Sequence, residues 1–423
     1  MPSISRRISV AARIVCPLDG PPLDNGVVEI EDGWILEVHQ RPHADTLHLG
    51  DVAILPGLVN AHTHLEFSNL EAPLGPPNPF AAWIGSVVAE RRRRCRIDDD
   101  VKCRVAADPI ARGLRECFAT GTSVVADIVT GALADVDGLE QVQRALRAGR
   151  LIPFPELLSP TPSGVSATLD AAREYARTVS DLAADAEVGL SPHAPYTVTR
   201  DLLDRAVQWA DAEVRLLAMH VAETREELEL LKKGTGPLAE MLQRIGQWDP
   251  DALGVGGGLT PVLKALSQAR LTLLVHGNYL TDKDLQFIEG HPCLSLVYCP
   301  RTHEYFGHDP WPLEQALERR ILVALGTDSR ASNPDMNLWE EAKVVARRFP
   351  QLAPETIFGM ATIDGAKTLG IGHLFGTLSP GKTGDLCCVQ LAGEGTDPLR
   401  AALHPDACVI GSLHAGEWVN RPL

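Results

Sequence analysis

The central part of the chain alternates short apolar runs with longer amphipathic segments, a pattern typical of parallel α/β folds. The apolar runs predict strands over residues 53–58, 123–128, 187–190, 216–221, 271–276, 295–298 and 322–326, with an eighth near 151–157. The amphipathic segments predict helices over residues 167–184, 200–212, 225–233, 312–319 and 336–349. Strands that alternate with helices in this number favour a (β/α)8 barrel of the TIM type.

Both ends of the chain show a different pattern, in which short β-type runs are separated by turn residues. These runs cover residues 8–15, 26–30 and 34–38 at the N-terminus and 385–391, 407–410 and 417–419 at the C-terminus. They lack the apolar spacing of helices. We therefore expect one small β-sandwich domain made from residues 1–53 and 372–423, with a barrel of residues 54–371 inserted between its two parts.

The charge balance restricts the class of partner. The 423 residues include 55 acidic and 39 basic side chains, which gives a formal net charge of -16. A protein with this negative charge repels nucleic acid and anionic membranes, so a small molecule is the expected ligand. The longest basic run, four arginines at 91–94, is followed by three aspartates at 98–100, and we interpret it as a solvated helix face.

Cysteine usage and hydropathy predict a soluble cytoplasmic protein. The nine cysteines are scattered without a C-x-x-C pair, which is typical of reduced thiols. No apolar run reaches the roughly 18 residues of a membrane-spanning helix. Arg13 interrupts the apolar stretch near the N-terminus, and no signal-peptide cleavage site follows it. A homodimer or a higher homo-oligomer is compatible with this composition.

Polar residues that can bind a metal or move a proton come near the C-terminal ends of the predicted strands. In a barrel these ends meet on one face, where active sites form. The residues are His62, His64, His193, His220, Glu223, His276 and Asp328. Histidine and carboxylate side chains are zinc ligands in proteins, so the pattern predicts a metal site on that face.

Each of these residues also has a structural interpretation. An H-x-H pair such as His62 and His64 arises easily by chance among 14 histidines. Glu223 and Asp328 could instead cap the helices that follow them, and His276 could be a hydrogen-bonded histidine at the edge of the core. The site interpretation is favoured because the candidates follow different strands, in an order that places them around one ring.

Several segments, spread over essentially the whole chain, resemble the signatures of the amidohydrolase superfamily. The resemblance rests on LPGLVNAHTH at 55–64, GTD at 326–328, GKTGDL at 381–386, His276, and the pair His220 and Glu223. It implies one divalent metal ion bound by His62, His64, His220 and Asp328. A single ion is implied because no lysine ends the fourth strand, where binuclear members carry one. Three imidazoles and one carboxylate suit zinc best, with iron as the alternative.

The segment SPHAPYT at 191–197 resembles that of cytosine deaminase-like members, which include S-adenosylhomocysteine, methylthioadenosine and aminofutalosine deaminases and triazine hydrolases. It implies hydrolytic deamination of an aminated purine-type heterocycle or nucleoside, in which metal-bound hydroxide attacks the amine-bearing carbon and ammonia leaves. Asp328 would take the first proton, His276 would stabilise the adduct, and Glu223 would protonate the ring nitrogen. The alternatives are an s-triazine chlorohydrolase or aminohydrolase and a non-catalytic metal-binding barrel protein.

Four residues are candidates for substrate contacts. His193 would contact the substrate, for example at a ribose hydroxyl, whereas Trp83 has the helical spacing of a core aromatic. Arg301 and Arg330 could form a fork for a substrate carboxylate, as in an aminofutalosine-type nucleoside, or could be solvated loop arginines. His303 stands where the subgroup commonly has asparagine, and Arg330 belongs to a pair that is usually small, so both would alter the pocket.

Overall fold

The computed structural model describes residues 6–94, 104–105, 107–133, 138–393 and 397–422, and the aspartates at 98–100 lie outside the described residues. The described strands are Arg7–Ala11 (β1), Ile14–Val15 (β2), Leu23–Asp24 (β3), Val27–Glu31 (β4), Trp34–His39 (β5), Leu47–His48 (β6), Val52–Pro56 (β7), Leu58–Thr63 (β8), Arg104–Val105 (β9), Thr122–Val129 (β10), Ala132–Leu133 (β11), Leu151–Leu157 (β12), Ser191–Pro192 (β13), Leu217–Val221 (β14), Thr272–His276 (β15), Leu294–Tyr298 (β16), Val323–Leu325 (β17), Leu386–Gln390 (β18), Cys408–His414 (β19) and Glu417–Asn420 (β20).

The described α-helices alternate with the central strands. They are Phe80–Arg94 (α1), Ala107–Ala119 (α2), Leu139–Arg147 (α3), Val165–Leu182 (α4), Arg200–Ala212 (α5), Arg225–Lys233 (α6), Pro237–Arg244 (α7), Pro250–Leu253 (α8), Thr260–Leu266 (α9), Asp282–Glu289 (α10), Pro300–Phe306 (α11), Leu313–Glu318 (α12), Leu338–Arg348 (α13), Pro354–Ala361 (α14), Ile363–Thr368 (α15) and Pro398–Ala402 (α16). Short 3-10 turns lie at Leu65–Phe67 and Pro162–Gly164.

The central strands form two four-stranded parallel sheets, in the orders β13-β12-β10-β8 and β14-β15-β16-β17. Isolated parallel bridges continue the pairing between the sheets, from Leu190 to Leu217 and from Thr63 to Asp328. All residues of β14, β15 and β16 are buried, as expected for parallel strands covered on both sides. Because the strands are parallel, their carboxyl ends lie on the same side of the sheets.

Two of the predicted central strands are wrong in detail. The run at 53–58 is two strands, because β7 pairs with β18 and β8 pairs with β10 in a different sheet. They meet at Gly57, where a Cβ would lie 1.8 Å from Oγ of Ser123. The run at 187–190 contributes only the bridge of Leu190, and the strand itself is β13. By contrast, β12, α5 and α6 have the predicted bounds.

The two ends of the chain pair with each other in a separate β-structure. One sheet has the order β5-β4-β1-β6 and the other β20-β19-β18-β7-β2-β3. The second sheet joins the termini, since β18 lies between β7 and β19 and runs antiparallel to both. Apolar residues of the two sheets, among them Val10, Ile30, Ile54 and Leu386, share one core.

A buried ion pair connects this β-structure to the central sheets. The carboxylate of Asp385, just before β18, accepts hydrogen bonds from Nη1 and Nη2 of Arg150 at 2.6 and 3.0 Å. It also accepts one from the backbone N–H of Ala415 at 2.7 Å. Burial opposes ionisation, but the Arg150 guanidinium holds the pKa of Asp385 below its usual value. The ion pair therefore fastens the start of β18 to the start of β12.

We expect Asp385→Asn to lower the free energy of unfolding at pH 7 by about 3 kcal/mol, because it leaves the charge of Arg150 buried without a counterion. A carboxylate with a lowered folded-state pKa stabilises above its unfolded pKa and loses that effect as the pH falls through the folded pKa. The difference from wild type should therefore narrow below about pH 4. Denaturant titration at several pH values measures the difference in free energy of unfolding between the two proteins. The control is Asp51→Asn, because Asp51 forms an exposed ion pair with Arg13. It should lower the free energy of unfolding by less than about 1 kcal/mol. An equal loss in the two variants would contradict the stabilising role of the buried Arg150–Asp385 pair.

None of the described helices has an apolar stretch long enough to cross a bilayer. The described cysteines all carry free thiols, and they are Cys16, Cys117, Cys293, Cys299, Cys387, Cys388 and Cys408.

Candidate metal centre and active site

The four side chains predicted to bind a metal converge at the carboxyl ends of β8, β14 and β17. Nε2 of His64 lies 3.3 Å from Nε2 of His220. Oδ1 of Asp328 lies 3.5 Å from Nε2 of His62 and 3.7 Å from Nε2 of His64. Ligand atoms at 2.0–2.1 Å from a tetrahedral ion are about 3.3 Å from one another. The ligand atoms form two groups in which every pair lies within 4.8 Å, one of His62, His64 and Asp328 and one of His62, His220 and His276. The four predicted ligands are therefore brought together around His62, and His276 lies among them.

The hydrogen bonding of these histidines also fits a metal. Both ring nitrogens of His62 and Nδ1 of His64 are buried without a hydrogen-bond partner in the described structure, although buried polar atoms normally have one. Nδ1 of His220 is bonded to the carbonyl oxygen of His193 at 2.8 Å, which leaves Nε2 for an ion. Burial and the neighbouring imidazoles hold the pKa of His64 and His220 well below the usual range, and neutral imidazole is the form that binds metal.

The backbone at the strand ends has an unusual conformation where it carries these side chains. His276 and Asp328 have positive φ values of 71° and 59°, a conformation that costs energy outside glycine. Ser332 Oγ donates to Oδ2 of Asp328 at 2.9 Å, and the backbone N–H of Asp328 donates to the carbonyl of His62 at 3.0 Å. Gly326 permits this approach, because a Cβ there would lie 2.9 Å from Cβ of His62.

Glu223 lies beside the candidate ligands and does not cap a helix. Its Oε1 is 3.6 Å from Nε2 of His276, and α6 starts only at Arg225, with Thr224 as its N-cap. The capping alternative for Asp328 is also wrong, since Asn337 caps α13. Burial and the nearby carboxylates raise the pKa of Glu223 well above its usual value. A carboxyl group with a raised pKa is suited to act as a general acid.

Glu227, which the sequence analysis missed, holds the loop that carries Glu223. Its two carboxylate oxygens accept hydrogen bonds from the backbone N–H groups of Ala222 at 2.8 Å and of Glu223 at 2.9 Å. The side chain is fully buried on the first turn of α6. The spacing H-x-x-E-x-x-x-E places this second glutamate one helical turn after the first, which is the only sequence signal for its role.

We expect Glu227→Gln to lower kcat by about 10- to 100-fold, because an amide has one acceptor oxygen for two N–H groups and a displacement of about 1 Å suffices for such a loss. Bound metal should stay at the wild-type level, since Glu227 is not a candidate ligand. Elemental analysis together with rates of ammonia release checks both. A variant with the wild-type kcat would show that the loop is held by other contacts.

The two arginines predicted to bind a substrate carboxylate are held by carboxylates of the protein itself. Nε of Arg301 donates to Glu341 at 2.7 Å, and Nη2 donates to Asp335 at 2.6 Å. Nη2 of Arg330 donates to both carboxylate oxygens of Glu116 on α2, at 2.7 and 2.8 Å. Both guanidinium groups therefore brace the segment after Asp328, and the fork for a substrate is not formed.

Trp83 and His303 also have contacts within the protein. Trp83 stacks on Phe80 and meets Phe306 edge-on, with ring centroids 5.6 and 4.9 Å apart. Its Nε1 donates to the carbonyl of Ala331 at 3.3 Å, so it covers the loop that follows Asp328. Nε2 of His303 is bonded to the carbonyl of Asp309 at 2.7 Å.

His193 lies next to the candidate ligands, beside a set of charged residues that the sequence analysis missed. Its ring centroid is 5.1 Å from that of His220, and its Nε2 is 3.8 Å from Oε1 of Glu156. Arg91, interpreted from the sequence as part of a solvated face, instead bonds Glu66 at 2.9 Å and lies 3.4 Å from Glu156. A charge run at the end of a helix gives no indication of such partners.

Comparison with known proteins identifies the family. The model of the amidohydrolase family matches residues 53–419, so the chain belongs to the amidohydrolase family, as the sequence motifs implied. Aminodeoxyfutalosine deaminase of Deinococcus radiodurans is 31% identical over 348 residues, which cover 78% of this chain and 76% of that protein. The 5-methylthioadenosine/S-adenosylhomocysteine deaminase of Pyrococcus abyssi is 26% identical over 405 residues, or 92% of this chain and 86% of that protein.

A solved structure has the same fold along almost the whole chain. The crystal structure of Helicobacter pylori aminofutalosine deaminase in complex with methylthio-coformycin superimposes with a TM-score of 0.79 at 22% sequence identity. The match covers 97% of this chain and 99% of that one. At this identity the likeness shows a common fold alone.

Proposed function

We propose that this protein is a metal-dependent hydrolytic deaminase of an aminated purine-type heterocycle or nucleoside, of the aminofutalosine or S-adenosylhomocysteine kind. Such an enzyme is a hydrolase of carbon–nitrogen bonds in cyclic amidines. The observation that carries the proposal is the position of Glu223, 3.6 Å from His276 and beside the candidate ligands. The deaminases related to this chain support the proposal.

The residues divide the proton transfers among them. A divalent ion held by the four side chains would lower the pKa of a water molecule towards neutrality. Asp328, whose pKa the imidazoles keep low despite burial, accepts a proton as this water attacks the amine-bearing carbon. His276 stabilises the charge that develops on the oxygen. Glu223 protonates the adjacent ring nitrogen, and its carboxylate then takes the proton of the new hydroxyl group and passes it to the amine, which leaves as ammonia. The proton held by Asp328 returns Glu223 to its acid form, so one water is consumed and one ammonia is released.

For the cofactor we propose a single zinc ion. Three imidazoles and one carboxylate with room for a water are a donor set that zinc favours, and iron is the alternative. His62, His64, His220 and Asp328 would hold it. In the part of the chain that the structure describes, the fourth central strand, β13, leads into His193 and not into a lysine for a second ion. Elemental analysis of the purified protein should find one zinc per chain.

For the architecture we propose a closed (β/α)8 barrel of residues 54–371 and a β-sandwich of residues 1–53 and 372–423. The bridges between the two parallel sheets and the common core of the terminal sheets support this division. Because β7 pairs with β18, the sandwich sheet extends to Pro56. The free cysteines support a reducing, cytoplasmic location, and assembly into a homo-oligomer stays a prediction.

Release of ammonia from a panel of aminated compounds tests the function. The panel contains adenine, adenosine, 5′-methylthioadenosine, S-adenosylhomocysteine and aminodeoxyfutalosine, with an s-triazine as the alternative substrate. We expect deamination of at least one purine compound by the metal-loaded protein and none after removal of the metal. Release of chloride or an alkylamine from the triazine alone would favour the s-triazine hydrolase. A metal-loaded protein inert towards every member would favour the non-catalytic barrel.

A further inference from the structure

A buried carboxylate next to the candidate metal centre has no part in the proposed chemistry. Asp127, in the carboxyl-terminal half of β10, is 0% exposed. It is the partner of Thr63 in the parallel pairing of β10 with β8. Thr63 stands between the candidate ligands His62 and His64. Asp127 therefore adjoins the segment that supplies two of the four candidate ligands.

The carboxylate of Asp127 holds this segment on both sides of His64. Its Oδ1 accepts hydrogen bonds from Oγ1 of Thr63 at 3.0 Å and from the backbone N–H of Leu65 at 2.7 Å. Oγ1 of Thr63 also lies 3.0 Å from the carbonyl oxygen of Ala126, so the N–H of Leu65 is the firmer contact. Leu65 begins the 3-10 turn after β8, and His64 at its N-cap makes no side-chain capping bond. Asp127 thus provides, from another strand, the acceptor that the first N–H of such a turn requires.

The two imidazoles of this segment depend on the backbone for their orientation. Metal-binding histidines usually have their second ring nitrogen bonded to a carboxylate or a carbonyl oxygen. His220 has such a bond, to the carbonyl oxygen of His193 at 2.8 Å. Among the described residues, neither ring nitrogen of His62 nor Nδ1 of His64 has a hydrogen-bond partner. A group that fixes the backbone here therefore also fixes the two rings.

The position of Asp127 excludes direct contact with a substrate and does not make it a ligand. The residue is fully buried, and it belongs to neither group of candidate ligands. Its Oδ2 is buried without a hydrogen-bond partner in the described structure, so Oδ1 alone makes the contacts. Any effect of Asp127 on the metal centre must therefore pass through Thr63 and Leu65.

We propose that Asp127 is a positioning residue that fixes the segment His62-Thr63-His64, so that both imidazoles are in place before the metal binds. This inference rests on the proposed metal centre and adds a residue that does not touch the ion. Ligands that are already in place lose less conformational freedom on binding, which increases affinity. The expected effect of Asp127 is therefore on the Kd for zinc.

Titration of the zinc-loaded protein with a chelator measures this Kd. We expect Asp127→Ala to raise it by about 10- to 100-fold, the usual effect of removing a group that orients metal ligands. Asp127→Asn should recover most of this loss, because its amide oxygen can still accept from the N–H of Leu65. Ammonia release by Asp127→Ala should return when zinc is added in excess, since all four candidate ligands are still present.

The matched control is Asp385→Asn, which alters another buried carboxylate, paired with Arg150 at the start of β12 and away from the carboxyl ends of the strands. It should lower stability but keep the wild-type Kd for zinc. Thr63→Val removes one of the two hydrogen bonds to Asp127 and should raise the Kd by a smaller factor. It provides the same test if Asp127→Ala does not fold, and a wild-type Kd in Thr63→Val would then overturn the inference.

Two further results would overturn the inference and leave the metal centre standing. One is a wild-type Kd in Asp127→Ala, and the other is an equal rise of the Kd in Asp127→Ala and Asp127→Asn, because the accepting oxygen would then not matter. A wild-type protein that binds no zinc would instead overturn the proposed metal centre, and the inference with it.

Discussion

Glu223→Gln is expected to lower kcat by about three orders of magnitude while the protein keeps its metal. Glutamine has nearly the shape of glutamate, so the loop held by Glu227 should keep its conformation. The amide cannot deliver a proton to the ring nitrogen or to the leaving amine, and both transfers depend on Glu223. Burial and the carboxylates of Asp328 and Glu227 raise the pKa of Glu223 well above its usual value, which is the property that the substitution removes.

Single-turnover and steady-state rates of ammonia release, with metal content measured on the same samples, check this expectation. Glu229→Gln is a suitable control, because Glu229 lies on α6, the helix that follows Glu223, and its side chain bonds exposed Thr235 at 2.9 Å. It should retain the wild-type rate. A Glu223→Gln enzyme with a near-normal rate would falsify the role of Glu223, whereas loss of metal would indicate that the side chain acts as a ligand.

The candidate centre could be predicted because each of its residues follows a recognisable strand. Strands such as β14 and β15 are buried along their length and therefore appear in the sequence as uninterrupted apolar runs. A polar residue at the end of such a run stands out, as His220 and His276 do. Since parallel strands end on one side, order along the chain sufficed to bring these residues together.

The partners of the arginines could not be predicted, because they depend on contacts between distant parts of the chain. Arg330 meets Glu116, 214 positions away, and Arg91 meets Glu66 across the loop before α1. Local pattern gives a charge but not its counterion, so the sequence favoured a solvated face for Arg91. The boundary at Gly57 was missed for a similar reason, since it follows from pairing with distant strands, β18 on one side and β10 on the other.

Asp328→Asn should remove both the metal and the activity. Asp328 provides the only negative charge among the four candidate ligands, and its Oδ1 lies 3.5 Å from His62 and 3.7 Å from His64. An asparagine keeps the size of the side chain but cannot offset the charge of a divalent ion or accept the proton of the attacking water. We expect less than about 0.1 metal ion per chain after dialysis, and no turnover above background.

Ser332→Ala tests the same site more mildly, because it removes a hydrogen bond to the carboxylate of Asp328 and keeps the carboxylate. Its hydroxyl donates to Oδ2 of Asp328 at 2.9 Å and does not belong to the candidate ligand set. Loss of a hydrogen bond to a metal ligand typically weakens metal affinity by about 10- to 100-fold. Activity of Ser332→Ala should therefore return when zinc is added in excess, whereas that of Asp328→Asn should not. If Asp328→Asn instead retained a full complement of metal, Asp328 would act in proton transfer alone, and the three histidines would hold the ion without it.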